Sequence, residues 1–95
     1  MNFGVIGPGN IGEVIVRRLR DAGYPLKMAN SRGPESLRDL GAKTGAIPVS
    51  LEQVVQDVDV LFLVVPQKAI PELPNGLLNN TRKETIVIDW SGPHF

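Results

Sequence analysis

Gly7-Pro8-Gly9-Asn10-Ile11-Gly12 is preceded by the short apolar run Met1-Asn2-Phe3-Gly4-Val5-Ile6 and followed by a segment of helical periodicity. Glycines at the first, third and sixth positions of such a loop carry meaning only when a strand leads in and a helix leads out, and both are legible here. Gly7 suits the tight turn off the strand, and Gly9 a backbone that must approach a pyrophosphate. Gly12 suits a helix pressed against the strand it follows. The helix N-terminus would then offer free N–H groups and a partial positive charge to a bound anion. The plain alternative is a glycine-rich turn without a ligand.

Working outward, the first strand is expected from about Asn2 to Ile6. A helix from about Asn10 to Ala22 follows, with Ile11, Val14, Ile15 and Leu19 inward, Arg17, Arg18, Arg20 and Asp21 outward, and Gly23 as its stop. Pro25 precedes a second strand, Leu26-Lys27-Met28-Ala29-Asn30. Gly33-Pro34 opens a second helix that turns Leu37 and Leu40 inward and ends near Gly41. A short third strand is expected around Ala46 to Val49, and Ser50-Leu51-Glu52-Gln53 is a capping box opening a helix of one or two turns. Val60-Leu61-Phe62-Leu63-Val64-Val65 is an unbroken apolar run, as in a parallel strand buried on both faces. Pro71 and Pro74 restrict the next segment to short or irregular helix, and Ile86-Val87-Ile88 forms the last strand, ending at Asp89. Strands alternating with helices, joined by right-handed crossovers, predict a Rossmann-type, doubly wound parallel α/β sheet in the order 3-2-1-4-5. Its ligand crevice lies at the C-terminal ends of strands one and four, where the order reverses.

Ninety-five residues fit one domain, spanning residues 1–95, and 42% hydrophobic residues suffice for an ordinary core. No apolar run approaches the ~20 residues of a membrane span. No basic segment followed by a long apolar stretch marks a secretory signal. The absence of cysteine rules out a disulfide framework, a thiolate metal site and a cysteine nucleophile. A cytoplasmic location fits these features, and no metal site is expected. Zero net charge argues against nucleic acid or an anionic membrane as the main partner. Residues 1–48 hold seven Lys/Arg against four Asp/Glu, whereas residues 49–95 hold three against six, so the halves carry +3 and −3. A basic first half suits an anionic ligand, although solvated helix faces also produce such asymmetry.

The second strand ends in Asn30-Ser31-Arg32. In an NAD-binding unit an acidic residue about twenty positions beyond the glycine loop holds the adenosine ribose. No Asp or Glu stands there. A carboxylate would repel the 2′-phosphate of NADP, whereas Arg32 offers a planar donor fork and Ser31 a short hydroxyl. Gly33 keeps the adjoining turn open. The residues therefore favour NADP(H) over NAD(H); the alternative is a polar loop with Arg32 simply solvated.

The stretches GVIGPGNIGEVIVRRLRDAGY and ANSRGPESL resemble the NADP-dependent oxidoreductases that use a deazaflavin coenzyme. They are similar, less closely, to pyrroline-5-carboxylate reductases. LFLVVPQKAI and IVIDWSGP continue the resemblance over nearly the whole chain, and Asn-Ser-Arg is its most specific part. The resemblance implies that Val65, Pro66 and Gln67 border the nicotinamide ribose; a plain strand terminator is the alternative for Pro66. It also implies a deazaflavin coenzyme as hydride partner. Members usually end the fifth strand with Asp, a small residue, Ser or Thr, then Asn-Pro. Here Asp89-Trp90-Ser91-Gly92-Pro93 departs from that pattern.

The family continues into a C-terminal substrate region, which is expected to be absent from a chain ending at Phe95. The missing substrate wall would come from a homo-oligomer or a partner chain, with the apolar fifth strand as an uncovered edge. No convincing acid, base or nucleophile is visible. Asp89, Ser91 and His94 crowd the chain end, and a triad is defined by spatial geometry rather than proximity in sequence. Three functions remain open: the NADP-binding part of an oxidoreductase, a sensor or carrier of NADP(H) without turnover, and a degenerate fold kept for association. In each of the first two, Gly9→Val should abolish binding of NADPH, followed by calorimetry, while circular dichroism reports a folded chain. Retained affinity would overturn the reading of the glycine loop.

Overall fold

β1 (Phe3–Ile6) is buried along its whole length, because strands flank it on both sides and helices cover both its faces. The computed structural model describes residues 1–7, 10–30, 32–64 and 84–89, and of Asn10, Ile11 and Asp89 the backbone only. Pro8, Gly9, Ser31, Val65, Pro66, Gln67, Pro71, Pro74, Trp90, Ser91 and His94, all discussed above, lie outside the described residues.

β2 (Leu26–Ala29) and β4 (Val60–Leu63) pair with β1 in parallel, one on each side. β3 (Ile47–Pro48) extends the sheet beyond β2, and β5 (Ile86–Asp89) extends it beyond β4. The order is β3-β2-β1-β4-β5. This is the Rossmann-type arrangement expected from the alternation of elements. Ile6 stands level with Ala29 and Leu63, so the C-terminal ends of β1, β2 and β4 finish in one row.

Alternation along each strand divides the core into two layers. Phe3, Val5, Leu26, Met28, Val60 and Val64 face α1 (Asn10–Asp21) and α2 (Arg38–Thr44), where Val16, Leu37 and Leu40 meet them. Ile6, Ala29, Leu61 and Leu63 face the opposite way, onto Val54, Val55 and Val58 in and after α3 (Leu51–Val54). Ser50 caps α3 as expected. Its hydroxyl accepts from the Gln53 N–H at 3.2 Å, and Gln53 Oε1 accepts from the Ser50 N–H at 3.1 Å.

Two details differ from the sequence reading. In α1 the inward stripe is Gly12, Ile15, Val16 and Leu19, whereas Val14 is 54% exposed. Gly12 and Val16 are buried, and Val14 is turned toward solvent. The second helix does not end near Gly41. It opens as a 3-10 turn (Pro34–Leu37), continues as α2, and closes at the left-handed Gly45. A Cβ on Gly41 would lie 3.0 Å from both the Ala46 carbonyl oxygen and the Pro48 ring. That glycine therefore marks close packing on β3 rather than a stop.

The opposite face has a tighter contact. A Cβ on Gly4 would lie 2.7 Å from the backbone carbonyl oxygen of Val54. Beside it in register, Lys27 sends its ammonium to the carbonyls of Gln53, at 2.8 Å, and Gln56. A cation thus meets the carbonyls at the end of α3. Partial burial lowers the Lys27 pKa below its ordinary value, and the nearby Asp57 carboxylate opposes that shift. Because a backbone atom blocks the β-carbon, Gly4→Ala should destabilise the fold by about 1–3 kcal/mol. Thermal denaturation would read this as a fall of roughly 4–8 °C per kcal/mol. An unchanged melting temperature would show that α3 can move off the strand without cost.

Candidate functional site

The row of strand ends gathers the groups singled out in the sequence. Gly7 leaves β1 with φ 78°, and its N–H donates to the Ala29 carbonyl at 2.7 Å, which ties the glycine turn to the end of β2. α1 begins at Asn10, three residues on, and Gly12 is buried in its first turn. The N–H groups of that turn therefore arise directly beyond β1. On the other side, the Val64 N–H donates to the Ile6 carbonyl at 2.9 Å, carrying the β1–β4 pairing to the end of the row. The order of the sheet reverses between β1 and β4, the point at which ligands bind in open α/β sheets.

At the end of β2, Asn30 has a role that the sequence reading did not give it. Its Oδ1 accepts from the backbone N–H groups of Arg32, at 3.1 Å, and Gly33, at 2.9 Å. Its Nδ2 donates to Ser36 Oγ at 2.9 Å, and the Ser36 hydroxyl donates to the Gly33 carbonyl at 2.8 Å. Asn30 is thus engaged in shaping the loop. Asparagine at the end of a strand, followed by glycine three residues later, is the local signal for such a turn. Ser36 carried no signal of its own. Gly33 stands at φ 100°, ψ 168°, a conformation essentially confined to glycine.

Arg32 is exposed on this loop. Among the described residues its guanidinium has no hydrogen-bond or ion-pair partner. Most other cations of the basic half are engaged. Arg17 pairs with Glu13 at 3.0 Å, and Arg38 with Glu35 at 2.7 Å. Arg20 donates to the carbonyls of Tyr24 at 2.7 Å and Thr44 at 3.3 Å, and Lys27 holds α3. Arg20 was read above as part of a solvated face; instead it joins the ends of α1 and α2. Arg18 and Lys43 lie in the last turns of their helices, at the opposite edge of the sheet. Among the described residues, then, Arg32 is the unpaired cation at the strand C-termini. Glu35, the nearest carboxylate along the chain, is turned to Arg38.

Gly7, the start of α1, Gly12, Asn30 and Arg32 are brought to one edge. Pro8, Gly9, Ser31, Val65, Pro66 and Gln67 are outside the described residues, as are the side chains of Asn10 and Ile11. No group of three or more potential metal ligands occurs among the described residues, and none of their helices is long and apolar enough to cross a membrane.

A parallel sheet in this order, with a glycine turn and a helix N-terminus at the reversal point, defines an NAD(P)-binding domain of the oxidoreductase class. The chain belongs to the family of NADP oxidoreductases dependent on coenzyme F420, whose family model matches residues 2–93. It is 38% identical over 65 residues to a glyoxylate reductase of Thermococcus kodakarensis, a match covering 67% of this chain and 18% of that one. A hypothetical protein of Sinorhizobium meliloti has a similar structure, with TM-score 0.78 and 30% identity over 97% of this chain and 44% of the other. A 3-hydroxyisobutyrate dehydrogenase of Mycobacterium tuberculosis shares the fold with TM-score 0.79, at 23% identity over 95% of this chain and 31% of the other. The chain thus spans less than half the length of each of these relatives.

Proposed function

We propose that residues 1–95 form a single NADP(H)-binding domain of an oxidoreductase, which positions the nicotinamide for hydride exchange with a deazaflavin coenzyme. The observation that carries the NADP reading is Arg32. Among the described residues it is an unpaired guanidinium at the end of β2, where an NAD-binding unit would present a carboxylate. In this reading the cofactor is held in three places. The first turn of α1 offers N–H groups to the pyrophosphate, joined by the loop residues Gly7, Pro8, Gly9, Asn10, Ile11 and Gly12. Arg32 and Ser31 take the 2′-phosphate, with Asn30 beside them. Val65, Pro66 and Gln67 border the nicotinamide ribose. Hydride transfer is chemistry that the bound cofactor supplies; the contribution of the chain is binding and orientation.

The exposed side chains of β5 support an association. Ile86, Val87 and Ile88 are 60%, 40% and 37% exposed in an edge strand. The other edge, β3, has two residues, one of them Pro48, and is a poor template for pairing. A second copy or a partner chain on the β5 side would provide the wall facing the nicotinamide. Sedimentation across a concentration range should therefore show self-association of the chain. A clean monomer that binds no hydrophobic dye would contradict this.

Titration of NADPH and NADH into the chain, followed by a hydride-transfer assay with a deazaflavin, tests the main reading. Binding without transfer would support a sensor or carrier of NADP(H) instead. NADPH should bind more tightly than NADH, and Arg32→Ala should remove most of that preference. A charge-assisted hydrogen bond contributes roughly 1.5–3 kcal/mol, so the expected loss in NADPH affinity is about ten- to a hundred-fold. NADH should be nearly unaffected; equal losses for both cofactors would contradict the assignment of Arg32.

A further inference from the structure

The loop that carries Arg32 is tied by the Asn30 amide and by the Ser36 hydroxyl. Ser36 Oγ accepts from Asn30 Nδ2 at 2.9 Å and donates to the Gly33 carbonyl at 2.8 Å. Ser36 Oγ also stands 3.2 Å from Asn30 Oδ1, and that oxygen accepts from the N–H groups of Arg32 and Gly33. Turned by half a revolution, the amide would set N–H against N–H and leave both loop donors without an acceptor. Those two N–H groups set which end of the amide faces the loop, and the Ser36 hydroxyl ties the amide to the Gly33 carbonyl. Gly33, in its glycine-only conformation, is fixed at the N–H by Asn30 and at the carbonyl by Ser36.

We propose that Ser36 is a positioning residue for cofactor selection: through Asn30 and Gly33 it fixes the point from which Arg32 reaches the 2′-phosphate. The inference rests on the reading of Arg32 as the 2′-phosphate ligand. Arginine has a long side chain with several free torsions, and ordering it on a phosphate costs entropy. A mobile backbone beneath it would add to that cost and misalign the planar fork. Ser36 need not touch the cofactor to have this effect. Its bonds are exposed, so water competes for them and the effect is smaller than that of Arg32 itself.

Calorimetric titration of NADPH, NADH and adenosine 2′,5′-bisphosphate tests this in wild type, Ser36→Ala, Ser36→Thr, Arg32→Ala and the Arg32→Ala/Ser36→Ala double variant, each with its melting temperature. Ser36→Ala should weaken NADPH and the bisphosphate about three- to ten-fold and leave NADH unchanged. Ser36→Thr, which keeps the hydroxyl, should retain wild-type affinities. In the Arg32→Ala background, Ser36→Ala should cause no further loss. Equal weakening of NADPH and NADH would make Ser36 merely structural and overturn the inference, as would an unchanged preference whatever the melting temperature. Additive losses in the double variant would overturn it too. A wild-type chain that does not prefer NADPH would overturn the reading of Arg32 itself, and the inference with it.

Discussion

At Gly4 a strand and a helix approach so closely that a β-carbon would sit 2.7 Å from the Val54 carbonyl oxygen. The rest of the arrangement depends on that contact. It seats α3 directly on the central strand, so the second face of the sheet is covered by Val54, Val55 and Val58. It also brings the end of α3 to Lys27, which stands next to Gly4 in register and holds the carbonyls of Gln53 and Gln56. With both faces covered, β1 can be apolar throughout, and parallel strands on either side complete its hydrogen bonding. The level row of strand ends at the point of reversal follows from that central position.

Charge at this edge is selective because most charges elsewhere are already engaged. Exposed pairs such as Arg17–Glu13 and Arg38–Glu35 contribute little to stability. Their consequence lies in what they remove: Glu35 is turned away from the loop, and two cations of the basic half are neutralised. Arg20 and Lys27 serve the packing of helices. The +3 charge of the first half therefore overstates the field available to an anion, and Arg32 stands apart by its place as well as its charge.

The family relation and the fold agree at the level of NAD(P) binding by an oxidoreductase domain. Dehydrogenases with quite different substrates share this sheet, so the discrimination that matters here is local. It concerns four consecutive positions after β2. Among them, Arg32 and Gly33 are held by side-chain bonds from Asn30 and Ser36.

Strand order, parallel direction, the helix after the glycine loop and the capping box at Ser50 were all legible in the sequence. Each rests on local periodicity or on a short chemical pattern, and these survive in a single chain read alone. The missing carboxylate after β2 and the presence of Arg32 were legible for the same reason. The inward face of α1 was not, because five apolar residues and a buried glycine define two overlapping stripes. Only contact with the sheet decides that Gly12 and Val16 face inward and Val14 outward. Likewise, Gly41 looks like a helix stop until β3 lies against it, and Lys27 looks like a solvated strand residue until α3 ends above it. The sequence alone determined the architecture and the kind of ligand. Tertiary structure decided which glycines are packing contacts, which cations are engaged, and that Ser36 holds the loop of Arg32, because these depend on atoms brought together from different elements.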